Sequence, residues 1–383
     1  MLSNQKQLFS LGDDITYLNA AYMSPLLKSV EAAGIAGLSR KNNPSNIRPN
    51  DFFEDPKKLK LLFSTLIQAK PENIAITPSA SYGLATAINN IDPLRGSHIL
   101  MIEDEFPSIY YTVESWCKAQ HKSIKIIDRP STSLRSVADW NLQLLDAIKT
   151  DTIAVVLSPL HWMDGTVFPV KTISDRCKET NTLLILDGSQ FIGAYPFSIQ
   201  DIPADAVICA GYKWLLGPYS SGLAYYSDVF LDGIPIEQSW MTRMNAADFT
   251  SLTRYADQYM QGAGRYDMGE FSNLINVPML MTSIQQLLAW TPEAIQNYCH
   301  QISKDFIKEV QEMGLIVEAE DYRAAHLFSI KGLEQAKALS LSQKLQEANI
   351  YVSVRGNSLR ISPHVYNDEN DFDKLKAVLA SAF

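Results

Sequence analysis

Leu183-Leu184-Ile185-Leu186-Asp187-Gly188-Ser189-Gln190 and, downstream, Ala206-Val207-Ile208-Cys209-Ala210-Gly211-Tyr212-Lys213-Trp214 decide how this chain is read. Each is a short apolar run without polar alternation, as in strands buried on both faces of a parallel sheet. Each ends in glycine and polar residues. Open parallel sheets bind ligands beyond the carboxyl ends of their strands, so Asp187 and Lys213 are expected at one edge of one sheet.

Working outward, short β-branched runs alternate with amphipathic stretches from about Asn73 to Tyr226. That alternation predicts strands over 73–76, 98–102, 123–127, 152–157, 183–186, 206–209 and 222–225, joined by crossover helices. After Trp240 the pattern changes to helices over 283–290, 292–313 and 334–348, with strands over 325–330 and 359–361. The expected architecture is α/β: a large domain (18–255) with a mostly parallel seven-stranded sheet, then an interlobe helix region and smaller α+β C-terminal domain (256–383), with residues 1–17 joining the small domain. The stretch 39–55, with Pro44, Pro49 and several Asn, reads as a long loop.

The bulk properties narrow the function. A chain of 383 residues exceeds one ordinary core and predicts two unequal lobes with a cleft between them. Its 46% hydrophobic and 20% charged content is that of a soluble globular protein, and no apolar run approaches the ~20 residues of a membrane span. Met1 to Leu11 has no leader pattern, so a cytoplasmic location is expected. The four cysteines lack a CxxC pair, which predicts reduced thiols and no structural metal site. A net charge of −9 without clustered Lys and Arg disfavours nucleic acid and leaves small polar substrates.

A lysine and an acid at one strand edge match the needs of pyridoxal 5'-phosphate (PLP): an amine to form an imine with its aldehyde, and a carboxylate to keep its pyridine nitrogen protonated. Asp187 and Lys213 fit those roles, although an isolated pair of this kind is more often a turn cap and a solvated lysine. After the strand ending at Ile76, Ser79-Ala80-Ser81 open a helix whose free N–H groups suit a phosphate, or are a plain N-cap. Phe106 follows the strand ending at Ile102, where its ring could stack on a flat cofactor or simply fill core. His161 and Asp164 follow the strand over 152–157; they could transfer protons in the cleft or belong to a turn.

With these motifs in order, the chain resembles the class V aminotransferase superfamily of fold-type I PLP enzymes (the PLP-dependent transferase fold), which includes cysteine desulfurases, kynureninases and isopenicillin N epimerase-like proteins. The opening Tyr17-Leu18-Asn19-Ala20-Ala21 with Pro25, the phosphate loop over 79–84, Asp187 to Gln190 as DGxQ, and Gly211-Tyr212-Lys213 carry the resemblance. It implies Lys213 as the imine lysine, Asp187 as pyridinium partner, Gln190 near the cofactor's phenolic oxygen, Ala80 and Ser81 at the phosphate with Tyr212 reaching it, and Phe106 over the ring. Ala210 replaces a hydroxyl residue that some relatives offer to the phosphate. Asn19, Arg355 and Arg360 are implied at the substrate, with Arg360 the α-carboxylate clamp. Asp164 would lie beside the cofactor, and Ser272 and Asn273 at the neighbouring subunit's site in a homodimer.

Two departures matter. No cysteine follows Cys299 and the connection between Arg355 and Arg360 is too short for a nucleophile loop, which disfavours persulfide desulfuration. Trp162, in His161-Trp162-Met163-Asp164-Gly165-Thr166, fills a place where many relatives present Asn. The expected activity is transaminase-like, on an amino acid or amine through an external aldimine. The alternatives are a kynureninase-like or C–S β-lyase, an epimerase, or a catalytically silent binding protein.

Overall fold

The computed structural model describes residues 2–130 and 136–381. Its centre is a seven-stranded sheet built from β2 (Ile74–Thr77), β3 (His98–Ile102), β4 (Ser123–Ile127), β5 (Thr152–Leu157), β6 (Leu183–Asp187), β7 (Ala206–Ala210) and β8 (Gly222–Tyr226). The spatial order is β2-β8-β7-β6-β5-β3-β4. β4, β3, β5, β6 and β7 are mutually parallel, whereas β8 runs antiparallel to both β7 and β2. β2, β3, β5, β6 and β7 are buried throughout, as their unbroken apolar runs require, while β4 exposes Ser123, Lys125 and Ile126 because it closes the sheet's edge.

Crossover helices cover the faces: α3 (Ala80–Asn89), α4 (Pro107–Ala119), α5 (Ser136–Ala147) and α6 (Val170–Thr180). Two more helices, α1 (Lys28–Arg40) and α2 (Asp51–Ile67), precede them and pack against α7 (Asn276–Trp290). The expected loop over 39–55 therefore shrinks to 41–50, with a single 3-10 turn at Pro44–Asn46. Asp51 and Glu54 sit in the first turn of α2, where carboxylates favour the helix's positive end. Pro56, Leu59, Phe63, Leu66 and Ile67 then recur at helical spacing on its buried face.

The small lobe holds α8 (Pro292–Glu312), α9 (Gln335–Glu347), α10 (Glu369–Ala380) and a four-stranded antiparallel sheet. That sheet consists of β9 (Ile316–Val317), β10 (Phe328–Lys331), β12 (Ser353–Arg355) and β13 (Ser358–Ile361) in the order β12-β13-β10-β9. Near the N-terminus β1 (Thr16–Tyr17) pairs in parallel with β11 (Ile350–Tyr351). Asn19 continues that pairing onto Ser362, where Ala20 N donates to Ser362 O at 3.1 Å and Ser362 N to Leu18 O at 2.8 Å. Among the described residues no helix is long and apolar enough to cross a membrane.

The lobes meet at the turn after β5. Gly165, at φ +76°, lies where a Cβ would overlap the Leu327 carbonyl oxygen, and its own carbonyl accepts from Ala324 N at 3.3 Å. Both the left-handed backbone and the close approach require glycine. Gly165→Ala is expected to cost on the order of 3 kcal/mol, read as a lowered denaturant midpoint, and more than Gly314→Ala, which shares a left-handed backbone at φ +82° but whose Cβ would meet nothing within 4 Å.

Candidate active site

At the carboxyl edge of the central sheet lies a pocket of about 270 Å³, and the residues that follow β2, β3, β5, β6 and β7 all contribute to it. Of the expected site residues, it brings together Ser79, Ala80, Ser81, Phe106, Asp187, Gln190, Tyr212 and Lys213.

Lys213 is 8% exposed. Its Nζ lies 5.4 Å from the centre of the Phe106 ring and 5.7 Å from that of Tyr212. Burial penalises the ammonium and the Asp187 charge only partly offsets this, so the amine is pushed down to about 8. Asp187 ends β6 and accepts from Ser189 N at 2.9 Å through Oδ1. Burial raises its carboxyl, against the hydrogen bonds of Ser189 and the charge of Lys213. Gln190 has both ends of its amide engaged: Nε2 donates to Ala21 O at 3.0 Å and Oε1 accepts from Trp214 Nε1 at 2.8 Å.

Opposite these groups α3 begins. Ser79 is its N-cap, accepting from Tyr82 N at 3.2 Å, and its Oγ lies 3.0 Å from Ser81 Oγ. The first turn of a helix leaves N–H groups without intrahelical partners and carries the positive dipole end, so this corner suits an anion. Phe106, the N-cap residue of α4, meets Trp162 edge to face at 5.4 Å. Glu105, 7% exposed, fixes that wall: it accepts from Phe106 N, Ser158 N and Ser158 Oγ at 2.8, 2.7 and 2.7 Å. Trp162 Nε1 adds a hydrogen bond to Asp104 O at 2.7 Å.

Arg360 stands just behind the pocket wall, 1% exposed. Its Nη1 donates to Trp162 O at 2.8 Å, while Nε and Nη2 are buried without partners. Asn19 Oδ1 accepts from Ser353 Oγ at 2.7 Å on the neighbouring strand.

His161 and Asp164, expected in the cleft, lie one layer behind it. The turn in which Gly165 N bonds His161 O and His161 N bonds Thr166 O leaves Trp162 as the segment's contribution to the pocket. Asp164 is instead consumed by its neighbours: Arg129 Nη1 at 2.6 Å, Lys331 Nζ at 2.8 Å and His161 Nδ1 at 3.3 Å. Burial alone would raise its carboxyl, but His161, Lys331 and Arg129 outweigh it and hold it well below the ordinary range. Ser272 and Asn273 are also outside this chain's pocket. Ser272 is buried, and Asn273 is exposed and uses Oδ1 to accept from Ile275 N and Asn276 N at the start of α7.

The pocket has lining residues that the site prediction missed, among them Ser158 and Tyr219-Ser220-Ser221. Ser158 directly follows the apolar run of β5, so the strand-end rule could have found it. Ser220 and Ser221 precede a strand. They reach the same edge because β8 runs antiparallel, with Gly222 paired to Thr77 and Ala210.

The family profile described as Aminotransferase class-V matches residues 49–375. The chain is 22% identical over 310 residues to the uncharacterized aminotransferase YcbU of Bacillus subtilis, covering 81% of this chain and 79% of that protein. It is 21% identical over 355 residues to a kynureninase of Geobacillus thermodenitrificans, covering 88% and 78%. Among solved structures, the cystine C-S lyase C-DES in complex with cysteine persulfide aligns with a TM-score of 0.83 at 19% identity over 97% of this chain and 98% of that one. A second C-DES structure, with glycine covalently linked to its PLP cofactor, aligns at 0.85 and 18% identity over 99% of each chain.

Asp164→Asn is expected to destabilise the chain by roughly 1.5–3 kcal/mol, because it removes the counter-charge of Arg129 and leaves Lys331 with Glu318 alone. Since the folded carboxyl is depressed, its contribution is complete above the unfolded value near 4 and is lost only as pH falls through the folded value. Denaturant midpoints of the two proteins should therefore differ by the same amount across about pH 5 to 8 and converge in acid.

Proposed function

We propose a transaminase-like reaction at this pocket, from the premise that the chain belongs to the aminotransferase class-V family and is an enzyme that uses pyridoxal phosphate to act on amino acids. The observation that carries the reading is the buried pair of Lys213 and Asp187 at one sheet edge, facing the N-terminus of α3 across a pocket with an aromatic wall. A planar ring bearing an aldehyde, a basic nitrogen and a phosphate finds a partner for each part there.

When bound, PLP supplies an electron sink for bonds at the amino acid's Cα. Asp187 would hold a proton on the ring nitrogen, and a positive ring there would relieve the cost that burial puts on its carboxylate. Ser79, Ala80 and Ser81 would hold the phosphate at the first turn of α3, with Tyr212 in the same pocket wall as a further donor. Phe106 would cover one face of the ring, its backbone held by the Glu105 hydrogen bond. Arg360 orients the substrate's α-carboxylate with the two donors the chain leaves free, and Asn19 supports that strand. Lys213 carries the proton at Cα. Burial pushes its amine down to about 8, so the neutral form that accepts a proton is reached well below the range of an ordinary lysine.

A β-lyase is the second reading. The kynureninase relative and the C-S lyase likeness favour it, and an epimerase would use the same residues. Products decide: a transaminase yields a keto acid and pyridoxamine phosphate, a lyase yields alanine, pyruvate or an aromatic amine. The chain acts as a homodimer in the cytoplasm, with Ser272 and Asn273 serving the neighbouring subunit's site. Tyr22 and Tyr219, 56% and 65% exposed beside the pocket, are surfaces a second copy would cover, and light scattering should return the mass of two chains.

The purified protein is expected to show a visible-violet band that Lys213→Ala lacks, and the absence of any such band after added PLP would overturn the role given to Lys213. Capture of PLP by the apoprotein needs the neutral amine, which the depressed value makes available above about 8. Its rate should thus rise with pH through about 8, well below the range of an ordinary lysine, as stopped-flow absorbance would record. Asp187→Asn removes the anion that holds the amine up, so the inflection should move lower still.

A further inference from the structure

Arg355 and Arg360 share one face of the β12–β13 hairpin. The antiparallel register sets Ser353 opposite Arg360 and Arg355 opposite Ser358, so the two arginines are diagonal neighbours on that face. Arg360 keeps Nε and Nη2 buried and unpartnered. Arg355 spends Nη1 on the carbonyl of Val354 at 2.8 Å, keeps Nε buried and unpartnered, and lies 5.7 Å from the Trp162 ring centre.

No carboxylate forms an ion pair with either guanidinium among the described residues. Burial is what penalises both guanidinium charges most; Arg355 adds repulsion at Arg360, the phenols of Tyr22 and Tyr17 offset little, and both arginines act on the Lys213 amine. Two like charges this close, with buried donors unmet, are unfavourable until an anion arrives. In a chain of net charge −9 this is a local and unneutralised excess. One α-carboxylate answers one fork of donors; the second fork remains.

We propose that the substrate is an amino acid bearing a second acidic group on its side chain, with Arg360 holding the α-carboxylate and Arg355 the distal acid. This rests on the proposed PLP reaction with Arg360 as clamp. The rings of Trp162 and Phe106, edge to face in the pocket wall, offer the apolar surface for the methylenes between the two acids.

The test uses the holoenzyme and three acids of increasing length, L-aspartate, L-glutamate and L-2-aminoadipate, against L-asparagine, L-glutamine and L-norleucine. The readout is the concentration that half-saturates the change in the cofactor band. At least one acid should saturate about tenfold or more below its neutral counterpart, the scale of a charge-assisted contact. Arg355→Met should narrow that gap to within about twofold and Arg355→Lys should keep part of it, with the band itself reporting that each variant holds its cofactor. Neutral amino acids that saturate as tightly as the acids, or an Arg355→Met variant that weakens both classes equally, would overturn the assignment alone. A cofactor band that no amino acid of either class perturbs would overturn the parent reading and this one with it.

Discussion

Asp187 stands opposite Ile208 because β6 and β7 run parallel, and the pocket depends on that pairing. Parallel strands release their carboxyl ends at the same edge, so the turn after β6 and the Gly211-Tyr212-Lys213 turn after β7 emerge side by side. β2, β3 and β5 add Ser79, Phe106 and Ser158 by the same rule. β8 obeys it in reverse and delivers its leading residues instead. A slip of one residue in any of these strands would turn its side chains to the other face of the sheet and dissolve the site.

Charge is handled in two opposite ways within neighbouring layers. Asp164 is surrounded by Arg129, Lys331 and His161, and Glu318 completes the cluster through Lys331, so its charges are matched inside the protein. Such a cluster locks the β5 turn to β10 and has nothing left to offer a ligand. The pocket side is the reverse: a lysine depressed by burial, a carboxyl raised by burial, and an arginine with two unmet donors. Buried polar groups are ordinarily satisfied, and unsatisfied ones mark places where something else completes the set.

Much of this was legible in the sequence because the signals were local. Seven β-branched runs became the seven central strands, with β3, β4 and β5 at the expected limits, and Asp187 and Lys213 could be placed from the residues that end two of those runs. What failed was whatever depends on partners distant in sequence. Strands as short as β1, β11 and β12 have too few residues to show a period, whereas β13 answers the strand expected over 359–361. The helix at Asp51 was hidden by the Asn- and Pro-rich stretch that leads into it. His161 and Asp164 have the residue types and strand-end position of cleft residues, but Arg129 and Lys331 claim Asp164, and no local pattern announces them.

The N-terminal segment carries a consequence for how the chain is made. Thr16 and Tyr17 pair with Ile350 and Tyr351, Ala20 bonds Ser362, and Thr16 Oγ1 donates to Asp371 Oδ1 at 2.8 Å. The same segment reaches the large lobe, where Gln190 holds the Ala21 carbonyl and Ser24 N bonds Tyr212 O at 3.2 Å. These partners lie far apart along the chain: Thr16 and Asp371 are separated by 355 residues. Domains fold as they emerge, but closing so long a loop must wait for both ends. The lysine turn gains its final lateral support only once residues 350–371 have been added, so a nascent chain stalled before residue 350 would present a formed central sheet with an unbuttressed cofactor site.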